Sequence, residues 1–131
     1  MEKMLKTYDT NSRAFYDSII VSKKGSNDSV LEYRGNDIFL TGIGDYPFMA
    51  LADIREQLKK RGLLLLCEGA RIDVFPSSMA FTSFLAYKTV IGRPASKEDL
   101  VHILNPTDDV DIIGSLEDQE AHRIRWVNSL G

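Results

Sequence analysis

The chain has 131 residues, 44% of them hydrophobic and 27% charged, with a formal net charge of −3 and one cysteine. That length suits a single domain, expected to span residues 1–131, with enough core to fold without a metal or a disulfide. The lone Cys67 excludes an internal disulfide and a cysteine-based metal cluster, and the acidic balance argues against broad binding to a phosphate backbone.

The opening "MEKMLKTYDTNSR" lacks the apolar core and small-residue cleavage site of a secretory leader. The longest purely apolar run, Leu63 to Cys67, is far short of the ~20 residues a membrane helix needs. A cytoplasmic protein of bacterial type is expected, without membrane contact.

The first element expected is a strand over Ala14–Lys23, rich in aromatic and β-branched residues and closed by the turn-like "KGSND". "SVLEYR" and "DIFLTGI" follow as two strands joined by a tight turn at Gly35-Asn36. Pro47 opens a helix whose stripe is Phe48, Leu51, Ile54 and Leu58, with Arg55, Glu56, Lys59 and Lys60 mostly off it and Gly62 as its stop. Leu63–Cys67 reads as a short strand covered on both faces.

"RIDVF" and Ser83–Ile91 read as further strands, the second with Leu85, Tyr87 and Ile91 on one face. Ser96 and Asp99 look like the start of a helix that carries Leu100, Val101, Ile103 and Leu104 inward and ends at Pro106. Ser115 starts the last helix, with Ala121, Ile124, Val127 and Leu130 as its inward stripe and Trp126 clamping one edge. The sum is an α+β domain: a largely antiparallel sheet of about five or six strands covered by about three helices.

Few residues point to chemistry. Ser77 and Ser78 follow a strand, but "FPSSM" is not the glycine-flanked nucleophile elbow, and His102 and His122 both fall on expected helices. Neither histidine gathers the three ligands a catalytic zinc takes, and Asp108, Asp109 and Asp111 lack the glycine and closing glutamate of a calcium loop. "GIGD" before the first helix is a weak phosphate-cradle match, better read as glycines relieving a turn that needs positive φ. No metal and no cofactor are expected.

Two features stand out. Arg71 and Asp73, two apart on an expected strand, would share a face as a structural brace for the Pro-Ser-Ser turn, or touch a ligand together with Ser77 and Ser78. From Pro106 to Glu120 there are six acidic residues and no Lys or Arg. Asp108, Asp109, Asp111, Glu117 and Asp118 are thereby candidates for a docking face that steers a basic protein partner.

The stretches "LLCEGARIDVFPSSM", "AYKTVIGRPASKEDLVHIL" and "DQEAHRIRWVNSL" carry a resemblance. They are similar to small bacterial cytosolic proteins with a Gly-Ala-Arg-x-Asp-Val-x-Pro-Ser-x-Met segment, which look like immunity proteins of contact-dependent growth-inhibition and other polymorphic toxin systems. The matching residues are Gly69, Ala70, Arg71, Asp73, Val74, Pro76, Ser77 and Met79, then Glu98, Asp99 and Leu100, then Gln119, Glu120 and Trp126. Ser78 stands where a glycine is usual, and no catalytic residue carries over.

The resemblance implies a protein that catalyses nothing and occludes a cognate toxin domain, with a basic nuclease as the natural target of an acidic surface. It implies no direct contact with nucleic acid and leaves the oligomeric state open. Two alternatives stay beside it: a small enzyme or ligand-binding domain using the Arg71, Asp73, Ser77 and Ser78 turn, and a regulatory subunit of a larger complex.

Overall fold

The computed structural model describes residues 1–24, 27–76 and 83–131. Four strands, β1 (Glu2–Asp9), β2 (Ala14–Lys24), β3 (Ser29–Gly35) and β4 (Ile38–Gly44), precede helix α1 (Pro47–Lys59) and strand β5 (Leu63–Leu66). Short strands β6 (Val74–Phe75), β7 (Leu85–Lys88) and β8 (Leu100–His102) follow, and helix α2 (Leu116–Ser129) comes last.

The first five strands form one antiparallel sheet in the order β4-β3-β2-β1-β5, and the short three form a second in the order β6-β7-β8. The expected α+β antiparallel architecture therefore holds, with a second small sheet and two α-helices in place of three. Helix α1 touches β3 and both edge strands, β4 and β5. Five strands at ~4.8 Å spacing span roughly 19 Å, while a helix is about 10 Å across, so the sheet must curl around α1.

Phe48, Leu51, Ile54 and Leu58 fill that curl with 2% exposure or less. Gly42 and Gly44 explain the closeness of the fit: a Cβ on Gly42 would lie 2.3 Å from the Ala50 carbonyl oxygen, and one on Gly44 2.5 Å from the Ala50 nitrogen. Both belong to β4 and neither has positive φ. "GIGD" is thus neither a phosphate cradle nor a strained turn, but the place where helix backbone lies on strand backbone. Gly62, at φ +74°, does end the helical segment as expected.

Strand β1 is an addition to the elements read from the sequence. Its inward row includes Thr7, whose hydroxyl donates to Ser18 Oγ at 2.9 Å and lies 2.7 Å from the Tyr33 hydroxyl. Polar side chains that satisfy one another hide the usual alternation of apolar residues. The β3–β4 hairpin turns at Asn36 and Asp37, one residue later than expected, both at positive φ (49° and 64°) as a two-residue hairpin turn requires.

The helix expected from Ser96 is absent. Ser96 and Asp99 do form a capping box, but it encloses a single 3₁₀ turn, Lys97–Asp99, and the chain then extends as β8 against β7. Ile103 and Leu104 reach the core from the turn that follows β8, closed by Asn105 N–H on the His102 carbonyl at 3.0 Å, and both are fully buried. The "RIDVF" strand shrinks to Val74–Phe75, because a turn closed by Val74 N–H on the Arg71 carbonyl occupies its first half. The strand expected over Ser83–Ile91 is β7, Leu85–Lys88, which leaves Ile91 outside it; its buried residue is Ala86, and Leu85 is exposed.

The largest correction concerns α2. Ile124, Val127 and Leu130, expected inward, are 57%, 46% and 42% exposed. Ala121 is exposed too, and the fully buried residue of this helix is Gln119. Trp126 therefore has no inward stripe to clamp; it is half-buried and donates its indole N–H to the Arg93 carbonyl at 2.8 Å.

Candidate functional site

The acidic stretch is mounted on a polar hub. Gln119 Nε2 donates to the carbonyls of Gly69 (3.0 Å), Arg71 (2.8 Å) and Val74 (3.2 Å), while its Oε1 accepts from Arg55 Nη1 at 2.9 Å. Arg55, reaching from the middle of α1, also donates to the Gly69 carbonyl at 3.2 Å and to the Gly114 carbonyl. No described carboxylate forms an ion pair with it, and burial pulls its pKa below the ordinary arginine value. A half-buried cation held by neutral oxygens fixes α1, the Gly69–Val74 turn and the start of α2 to one another.

That fixing sets the path of residues 110–118. Ile72 N–H donates to the Ile112 carbonyl at 2.7 Å and Gly114 N–H to the Ala70 carbonyl at 3.0 Å, so the acidic stretch runs antiparallel along the turn. Asp108, Asp109 and Asp111 lie exposed around the 3₁₀ turn Val110–Ile112, where Asp109 Oδ1 accepts from Asp111 N–H at 3.0 Å. Glu117 and Asp118 are exposed in the first turn of α2. Asp118 closes a capping box with Ser115, and the Ser115 N–H holds its carboxyl below the usual range.

The five acids form two groups. The charge of Asp109 acts on Arg71, whereas Glu117 and Asp118 line a cleft of ≈ 790 Å³ between α1 and the start of α2. Sequence reasoning missed three further carboxylates that line the cleft, Asp45, Asp53 and Glu56, which lie 61 to 73 residues earlier in the chain than Glu117 and Asp118.

Arg71 and Asp73 pair across the turn and not along a strand. Arg71 Nε meets Asp73 Oδ1 and Nη2 meets Asp73 Oδ2, each at 2.9 Å, a bidentate geometry that raises the arginine pKa. Glu68 joins them, its Oε2 lying 3.4 Å from Arg71 Nε and 3.9 Å from Lys88 Nζ. The Asp73 carbonyl also accepts from Thr89 N–H and hydroxyl. Ser77 and Ser78 lie outside the described residues.

Other reactive groups are dispersed. Cys67 is fully buried and burial pushes its thiol up to about 11, so it is neutral near pH 7. His102 sits on β8 and not on a helix, its Nδ1 accepting from Leu104 N–H at 3.1 Å and its ring stacked on Phe84. His122 is on α2 as expected, with a buried Nε2 that has no hydrogen-bond partner among the described residues. Among those residues no three His, Cys, Asp or Glu side chains converge as metal ligands, and no helix is long and apolar enough to cross a membrane. Compared with known proteins, the chain matches no family model and no curated protein.

Proposed function

We propose that this protein is an immunity protein, which binds a basic cognate toxin domain and blocks it by occlusion. One observation carries the reading: Asp108, Asp109, Asp111, Glu117 and Asp118 are all exposed on one stretch that holds no Lys or Arg and is pinned by the Arg55–Gln119 hub. A negative surface that is already rigid before binding loses little side-chain and loop freedom on association. It also steers a basic nuclease toward it and selects against acidic partners. The resemblance of the Gly69–Met79 and Gln119–Trp126 stretches to immunity proteins points the same way. The bidentate commitment of Arg71 to Asp73 favours a bracing role for that pair over capture of a ligand.

The test is co-expression with the product of the adjacent reading frame that encodes the candidate toxin. The expected result is rescued growth and a stable complex. Reversing Asp108, Asp109 and Asp111 to Lys should slow association about tenfold at low salt and far less at high salt. Failure to rescue or to form a complex removes the reading. Rescue with unchanged association kinetics keeps the partner but takes these three acids out of the interface.

A further inference from the structure

We infer that the cleft between α1 and the start of α2 receives an extended basic segment with apolar side chains, contributed by a protein partner. This rests on the reading of the protein as a binder of a basic partner, and it names where and how the partner enters.

The floor of the cleft is apolar. Ile43, Met49, Leu64 and Leu116 line it, Ile43 being 54% exposed and the other three half-buried, beside the buried Leu63 and Leu65 of β5. The rim is anionic, and its carboxylates differ in what they already do. Asp53 is committed to the fold: Oδ2 accepts from Ile43 N–H at 3.0 Å and Oδ1 from Gln57 Nε2 at 3.2 Å. Asp118 is committed to Ser115. The carboxylates of Asp45, Glu56 and Glu117 are exposed and have no hydrogen bond or ion pair with any described residue.

Two cations line the same cleft. Arg55 is occupied by the oxygens of Gly69, Gly114 and Gln119, which leaves Lys59 as the one free cation among the described lining residues. Three free carboxylates against one lysine leave an uncompensated negative rim above a hydrophobic floor. Such a cleft disfavours anionic ligands and rewards positive charge.

Distance decides between a small cation and a chain. Asp45 precedes the first turn of α1 and Glu56 lies nine residues beyond Pro47, so the helix separates them by roughly 14 Å at 1.5 Å per residue. No metal ion or single ammonium bridges that span. An extended chain rises about 3.3 Å per residue, so about four residues cover it, with side chains pointing alternately to the rim and the floor. Alternating basic and apolar residues therefore match both surfaces, and a cleft of ≈ 790 Å³ accommodates a few such side chains.

The experiment is an NMR titration of the isotope-labelled full chain with three capped synthetic pentapeptides: Lys-Leu-Lys-Leu-Lys, Lys-Ser-Lys-Ser-Lys and Glu-Leu-Glu-Leu-Glu. Saturable shifts at Met49, Leu64 and Leu116 are expected with the first, at least tenfold weaker binding with the second, and none with the third. The double variant Glu56→Lys/Glu117→Lys, exposed at both positions, should weaken the first peptide at least tenfold while leaving the rest of the spectrum in place. Equal binding of the leucine and serine peptides, shifts confined to Asp108–Asp111, or no saturable shift at all would each overturn the cleft inference. Those outcomes leave toxin neutralisation intact, whereas a cleft that binds the peptide in a protein that rescues no growth means the broader reading has failed instead.

Discussion

Helices α1 and α2 carry apolar stripes of the same helical spacing and use them in opposite ways. α1 buries Phe48, Leu51, Ile54 and Leu58 in the curl of the sheet, while α2 turns Ile124, Val127 and Leu130 to solvent and buries Gln119. His122, Trp126 and Ser129, half-buried, follow Gln119 along the same inward face at three- and four-residue steps. Both helices are thus periodic toward the core, but the second is periodic in polar residues.

The difference teaches which term decided the orientation of α2. The Gly69–Val74 turn carries three carbonyls that accept from Gln119 and lie where water does not reach freely. Each buried acceptor left unsatisfied costs about 1–3 kcal/mol. Rotating α2 to bury its apolar stripe would gain only what half-exposed side chains still lack, a fraction of the ~1.5–3 kcal/mol available to each. Satisfying the turn and the half-buried Arg55 outweighs it.

The largest expected effect breaks this arrangement at its centre. Gln119→Leu keeps the volume but removes the acceptor for Arg55 Nη1 and the amide bonds to three carbonyls, of which Gly69 keeps Arg55 and Arg71 keeps the Val74 N–H. Unfolding in urea should then show a loss of about 3 kcal/mol or more. A loss below about 1 kcal/mol would mean that the hub does not set how α2 docks.

What was legible in the sequence divides along the same line. The α1 stripe is legible because a local pattern and the burial it meets agree at every position. The start of α2 is legible because Ser115 and Asp118 form its capping box within one turn. The partners of Arg55 are not: Gly69, Gly114 and Gln119 lie 14, 59 and 64 residues away, so nothing nearby marks Arg55 as the centre of a hub. The same holds for the cleft, where Glu117 is legible as part of an acidic run but Asp45 and Glu56 reach it only through folding. At Ser96 the local cap suits a 3₁₀ turn as well as a helix, and pairing with β7 decides between them.

A second effect sharpens the contrast from the sealed side. Cys67 lies fully buried close enough to Arg55 for their charges to interact, and its pKa rises from an ordinary 9.0 to about 11. A group whose folded pKa is raised keeps its full contribution below the unfolded value and loses it as pH climbs through the folded one. Stability should therefore hold up to pH 9 and decline between pH 9 and about 11, by at most roughly 2.7 kcal/mol at 1.36 kcal/mol per unit. Burial of Tyr33 pushes its hydroxyl upward as well and adds a loss at still higher pH. Cys67→Ala should flatten the first part of the decline in urea titrations run across that range. An unchanged profile would mean that the thiol is reached by water.

The smallest expected effect tests the exposed stripe itself. Ile124 is 57% exposed, so Ile124→Asn exchanges one solvent-facing side chain for another and should change the unfolding free energy by no more than about 0.5 kcal/mol. Asparagine is the poorer helix former, which sets the sign of that change toward destabilisation. The contrast with Gln119→Leu is the point: on this helix the polar-to-apolar exchange is costly and the apolar-to-polar exchange is nearly silent, the reverse of what α1 would give. A loss above about 1.5 kcal/mol would show that Ile124 is covered in solution. Repeating the urea titration at tenfold lower protein concentration would then identify the cover, because stabilisation by a second copy falls with dilution and stabilisation within one chain does not.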